Sequence, residues 1–159
     1  MGLYKRYVIE SSIEINTTPD RIWNFFYNLE NHYQEWYPEE HHFFCWTKGG
    51  SLEVGSEFDS LEIVDGHKTR LKGKCVVAIK DKEIAFKPAF PASIMCTKLE
   101  WIFEPKGDTT IFKANTYYKF GKIFLTYKNE GANQIMAITK KHMDTEGRNL
   151  KKILENLQF

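Results

Sequence analysis

The chain has 159 residues, with 22 Lys or Arg against 21 Asp or Glu and a formal net charge of +1. That length suits a single domain with a substantial core, and 42% hydrophobic residues exclude a disordered chain. So even a balance of charge removes the overall electrostatic case for nucleic acid or an anionic membrane, and neither is expected as a partner. The 15% aromatic share points instead to a large apolar interior or cavity, and so to a hydrophobic or aromatic small molecule as the partner.

The first residues carry no apolar stretch of the secretory kind. Arg6 stands where a myristoylation motif wants Ser or Thr. No run approaches the roughly 18 apolar residues of a membrane span. Cys45, Cys75 and Cys96 are odd in number and lack a CxxC pair, so three free thiols in a reducing, cytoplasmic setting are expected.

Residues 6–16 mix alternation with β-branched side chains and predict a first strand. Thr17-Thr18-Pro19-Asp20 then signals a helix start, with a hydroxyl cap, Pro in the first turn and an early acid. Ile22, Trp23, Phe25, Phe26 and Leu29 make that helix's apolar stripe. Residues 28–37 read as a second short helix or a loop, stopped by Pro38. Strands are predicted at 42–48, 53–64, 68–79, 82–87, 94–104 and 109–119, punctuated by Gly49-Gly50, Asp65-Gly66, Asp81, the stretch from Pro88 to Pro91, and Lys106-Gly107-Asp108. Such short connections imply an antiparallel meander. Residues 129–157 form one long helical pattern. The whole chain, 1–159, therefore reads as one α+β domain: a curved antiparallel seven-stranded sheet wrapped around a long C-terminal helix, with two short helices after strand 1.

On the terminal helix, Ile135, Ile138, Ile153 and Leu157 share one face with Leu150 at its edge, and Lys140, Asp144, Arg148 and Lys151 take the opposite side. His142 and Glu146 break the pattern, because they sit within the apolar stripe with Asn149 beside them. Burying a carboxylate requires compensation. Either the two residues bond each other or reach a cavity mouth, or they are two ligands of one metal, as spacing i, i+4 permits. Gly147, directly after Glu146, allows a close approach by a strand or ligand.

Glu62 is the one charge on the less polar alternate face of the strand at 53–64. His41 and His42 stand at the entrance to the meander, where one of them points inward. Together one of these histidines, Glu62, His142 and Glu146 offer two nitrogen and two oxygen ligands, a set suited to zinc, with iron, manganese or cobalt as alternatives. Trp101, Tyr117 and Tyr118 are candidates for aromatic cavity walls.

The order of elements resembles the START-like, polyketide cyclase superfamily with its helix-grip fold. The residues that carry the resemblance are Ser12-Ile13-Glu14-Ile15 before Thr18-Pro19-Asp20-Arg21-Ile22-Trp23, and Trp101-Ile102-Phe103-Glu104-Pro105-Lys106-Gly107 with Thr109-Thr110. Within it, Trp36-Tyr37-Pro38-Glu39-Glu40-His41, Glu62 before Asp65-Gly66, and His142-Met143-Asp144-Thr145-Glu146 resemble the diacetylphloroglucinol hydrolase family, which includes phloretin hydrolase. That resemblance implies a zinc held by His41, Glu62, His142 and Glu146, selects His41 over His42, and implies hydrolysis of a carbon–carbon bond in an aromatic ketone. It gives Glu62, Glu146 and Tyr33 catalytic roles, Tyr33 by hydrogen-bonding substrate, and leaves Trp101, Tyr118 and Asn149 to line the substrate pocket. The rival expectations are a carrier or sensor of a hydrophobic molecule, and a metal-free cyclase using His142 and Glu146 as acid and base. The resembled hydrolases carry extra sequence around this core.

Overall fold

The computed structural model describes residues 2–156. The chain runs β1 (Tyr4–Ile15), α1 (Pro19–Tyr27), α2 (Leu29–Trp36), β2 (His41–Lys48), β3 (Glu57–Val64), β4 (His67–Ile79), β5 (Glu83–Pro88), β6 (Cys96–Lys106), β7 (Thr109–Gly121) and α3 (Lys122–Asn156), with a 3₁₀ turn at Ala92–Ile94. The strands form one seven-stranded sheet in the order β1-β7-β6-β5-β4-β3-β2, antiparallel throughout. β1 and β2 therefore lie at opposite edges, and α1 with α2 carries the chain between them. This is the expected α+β helix-grip architecture.

The local signals mostly act as read. Pro19 opens α1, whose Ile22, Trp23, Phe25 and Phe26 are buried. Thr18, however, makes no side-chain cap bond; its carbonyl alone receives the Arg21 and Ile22 amides. Asp65 and Gly66 both take positive φ, 51° and 79°, as a two-residue β-hairpin turn requires. The strand predicted from residue 53 begins at Glu57 instead. Leu52 and Gly55 adopt φ of 50° and 93°, and the Ser56 amide bonds the Glu53 carbonyl, so 53–56 turn despite their alternation.

α1, α2 and the sheet share an aromatic core. The Phe26 ring stacks on Trp101 at 4.3 Å and meets Trp36 edge-on at 5.2 Å. α3 starts directly at the end of β7 rather than at residue 129, with a break at Lys128 (φ −132°, ψ 30°). Its buried line runs through Met143, Glu146, Gly147, Leu150 and Leu154. Leu150, expected at the edge of the stripe, is fully buried, whereas Ile135, Ile138 and Ile153 are only half-buried and Leu157 lies outside the described residues. Gly147 faces Ile13 of β1, where a Cβ would reach the Ile13 side chain at 3.4 Å, an ordinary packing contact.

The charged side of α3 is not simply wet. Lys140 and Lys151 donate to the Glu10 and Glu14 carbonyls of β1, Ser11 Oγ donates to Asp144, and the Asn16 amide to Glu155. At the other edge Gln34 donates to the His42 carbonyl and the Trp46 amide to Glu30. Polar side chains of two helices thus occupy backbone groups of both edge strands and blunt them against intermolecular pairing.

Gly73 marks a place where two strands come too close for a side chain. A Cβ there would lie 2.5 Å from the Lys87 carbonyl oxygen and 3.1 Å from Pro88 Cα, both backbone atoms. Gly73→Ala is expected to destabilise by about 1–3 kcal/mol, read as a Tm several degrees lower in a thermal melt.

Candidate metal centre

Three elements bring the site together. The Tyr37-Pro38-Glu39-Glu40 turn is closed by the Glu40 and His41 amides, both donating to the Tyr37 carbonyl, and delivers His41 as the first residue of β2. There His41 lies opposite Glu62 of β3, so the two side chains share the concave face. A register shift between His41 and Phe43 lets consecutive histidines part. His41 is 2% exposed, while His42 faces solvent. α3 supplies His142 and Glu146 one turn apart, and Trp36 Nε1 donates to the Glu146 carbonyl at 2.9 Å, pinning that turn against α2.

One ligand atom from each of His41, Glu62, His142 and Glu146 lies within 4.8 Å of the other three. Glu146 Oε1 is 2.9 Å from His41 Nε2 and 3.0 Å from His142 Nε2. Glu62 Oε1 is 3.7 Å from His41 Nε2, and its Oε2 is 3.4 Å from His142 Nε2. Bonds of about 2.0–2.1 Å to a tetrahedral zinc would space ligand atoms about 3.3 Å apart, within the range of these separations.

Proton accounting sharpens the fit. His41 Nδ1 lies 2.9 Å from the Tyr33 carbonyl, which can only accept, so Nδ1 carries hydrogen and Nε2 is left with its lone pair in a neutral ring. His142 Nδ1 lies 2.6 Å from Glu40 Oε2 in the same relation. Both Nε2 atoms then confront a carboxylate oxygen, and two acceptors at 3 Å repel unless positive charge lies between them. At His142 in the ion-free protein a proton supplies it. Burial opposes the charged form of His142, but Glu146, by charge and hydrogen bond, aided by Glu62 and Glu40, lifts that imidazole to about 10. Burial equally disfavours ionised Glu146, yet His142 and then His41 bring it down to about 2. A divalent cation would satisfy the same lone pairs and balance both facing carboxylates.

The surroundings hold this arrangement. The Tyr33 ring stacks on His41 at 4.1 Å, and its hydroxyl donates to Glu62 Oε1. Burial first, then the Glu62 charge and hydrogen bond, raise the Tyr33 phenol well above its usual range, so it keeps its proton. Tyr37 stacks on His142 at 5.2 Å. Glu40 and Tyr37, which contact His142 from behind, are positions of this cluster that the sequence reading missed. The signal was present, since both lie inside the segment that selected His41.

The site borders a cavity of about 680 Å³ between the sheet and α3. Glu62, His142 and Glu146 face it, and His41 closes the back. Phe44, Phe58, Phe86, Leu71 and Trp101 supply an apolar wall, and Tyr118 lines it with its hydroxyl paired to Thr139. Two expectations are corrected. Asn149 does not line the cavity, because the α3 residues that face it run from Ile135 to Glu146 and end one turn before Asn149. Tyr117 points to the opposite face of the sheet, where it donates to Glu100.

No family model matches the chain, and no curated protein matches it either. Solved structures do. Norcoclaurine synthase from Thalictrum flavum, in complex with dopamine and hydroxybenzaldehyde, is 16% identical over 99% of this chain and 91% of that one, with a TM-score of 0.75. A START superfamily protein from Mycobacterium smegmatis is 12% identical over 95% and 99%, with a TM-score of 0.73. Major latex-like protein 151 from Panax ginseng is 15% identical over 96% and 99%, with a TM-score of 0.71. At such identities these likenesses establish the fold, the helix-grip fold of START-like and plant latex-type proteins. Among the described residues no helix is long and apolar enough to cross a membrane.

Two outcomes follow from the geometry. Glu40→Gln keeps the size of the side chain but weakens the acceptor for His142, and is expected to reduce zinc affinity about 10- to 100-fold in a competition titration. In chelator, the raised imidazole stabilises the fold fully below 6.5 and loses that contribution as pH climbs toward about 10. The depressed Glu146 contributes fully above 4.5 and loses it as pH falls toward about 2. Urea unfolding should therefore show the chelated protein less stable near pH 9 than near pH 6, with a smaller difference in His142→Gln.

Proposed function

We propose that the chain is a metal-dependent hydrolase, with zinc the best-suited ion and iron, manganese or cobalt as alternatives, that cleaves a carbon–carbon bond of a hydrophobic aromatic ketone held in the cavity. The observation that carries this reading is the pair of imidazole Nε2 atoms, each with Nδ1 tied down, aimed with Glu62 and Glu146 at one point. A zinc ion bound there supplies Lewis acidity toward a carbonyl.

The chain's own residues do the rest. Phe58, Phe86 and Trp101 offer aromatic faces to a planar substrate, and norcoclaurine synthase, which shares this fold, forms a complex with the aromatic molecules dopamine and hydroxybenzaldehyde. Overall, water adds its oxygen to the carbonyl carbon, the bond from that carbon to the ring breaks with its electron pair on the ring, and the ring carbon takes up a proton. The products are a carboxylic acid and the deacylated arene. Glu62, which faces the cavity, takes the proton of the attacking water. Tyr33 orients Glu62 and presents its retained phenolic proton at the same edge.

The second reading, a metal-free carrier or cyclase, draws on the His142–Glu146 pair, which is already closed at 3.0 Å without an ion. Elemental analysis of protein purified without a His tag separates the two. About one zinc per chain is expected, lost in His142→Ala. EDTA should remove acylphenol hydrolysis and lower the Tm by roughly ten degrees, given about 4 kcal/mol of linkage at a thousandfold excess of ion over Kd. Metal-free protein carrying apolar cargo, or activity that survives EDTA, would establish the second reading.

A further inference from the structure

The loop at 91–95 lines one rim of the cavity and adjoins the end of the sheet where β1 starts and β7 ends, and this end carries most of the large exposed apolar side chains among the described residues. Phe90 and Ile94 project from the loop before β6, Leu3 from the start of β1, and Ile123, Phe124 and Tyr127 from the first two turns of α3; Phe90, Ile123 and Tyr127 are 78%, 79% and 80% exposed. These segments are joined. The Lys119 amide donates to the Met95 carbonyl and the Lys122 amide to the Leu3 carbonyl, while Tyr4 pairs with Gly121. The break at Lys128 separates the apolar turns of α3 from the part that packs on the sheet. Pro91, Ala92 and Met95 of the same loop line the cavity, opposite the β3–β4 hairpin.

Charge at this end is one-sided. Lys5, Arg6, Lys119, Lys122 and Lys128 lie on these segments and Lys68 on the facing hairpin, against Asp65 and Glu130. Arg70 of the hairpin is taken by Asp59. The net charge of +1 averages this asymmetry away. An exposed apolar patch of this kind marks an interface. A second copy docked through the same patch would set the six cations against their own duplicates, whereas an anionic lipid surface complements them and accepts the apolar side chains between headgroups.

We infer that this lip docks the cavity mouth onto an anionic phospholipid bilayer, from which an apolar ligand enters the cavity. The docking departs from the sequence expectation of no membrane partner; the nature of the ligand rests on the function proposed above. Co-sedimentation with vesicles of phosphatidylcholine, with and without phosphatidylserine, tests it. The protein should pellet with the phosphatidylserine vesicles only and be released by salt. Ile123→Asp/Tyr127→Asp should weaken binding at least tenfold, and Lys122→Gln/Lys128→Gln roughly fivefold per lysine. Zinc content and Tm, measured on the same samples, should not change, so a failed metal centre and a failed docking surface read out separately. Protein left in the supernatant with both vesicle types would overturn the inference. So would a solution dimer that the aspartate variant converts to monomer.

Discussion

A single carboxylate oxygen, Oε1 of Glu146, organises the molecule. It is met within 3.0 Å by an imidazole from the first residue of β2 and another from its own helix, in a place where an uncompensated charge would be costly. Positive charge, as proton or cation, has to sit there for α3 to lie where it does. The backbone at the same residue is fixed too, by the Trp36 indole. One residue thus ties the closing helix to the edge strand β2 and to α2, which is why the polar centre doubles as a structural lock.

The centre also divides the interior. On one side, Phe26, Trp36, Trp101, Phe103 and Phe112 pack ring against ring, with Trp36 and Trp101 forming the boundary to the cavity. On the other, the sheet and α3 stay apart around the cavity, and three of the four convergent side chains look into it. A ligand entering from the open end meets apolar walls and one concentrated group of polar atoms. That contrast fixes orientation, since only a polar end gains by facing Glu62 and His142.

Rigidity follows the same division. The middle of α3 is laced to β1 by Lys140, Asp144, Lys151 and Glu155, and α2 covers the β2 edge through Glu30 and Gln34. The first turns of α3, before Lys128, bury almost nothing. Local stability scales with buried contacts, so the part of the helix that carries His142 and Glu146 is held firmly, while its first turns can adjust to what they meet.

Much of this was legible in the chain itself. Turn residues and short connections dictated an antiparallel meander, since Asp65-Gly66 permits little else than a tight hairpin. Parity placed Glu62 inside, and spacing placed His142 and Glu146 on one helix face, because strand and helix periods are local properties of the backbone. What periodicity does not encode is rotation and register. The strand shift after His41 that sends His42 outward, the packing of Gly147 against Ile13, the Trp36 bond to the Glu146 carbonyl, and Glu40 reaching across to His142 all join residues remote in sequence or depend on a bulge. The sequence determined which side chains face inward; only tertiary packing, by giving the buried polar groups of the centre partners from other elements, decided which of them meet.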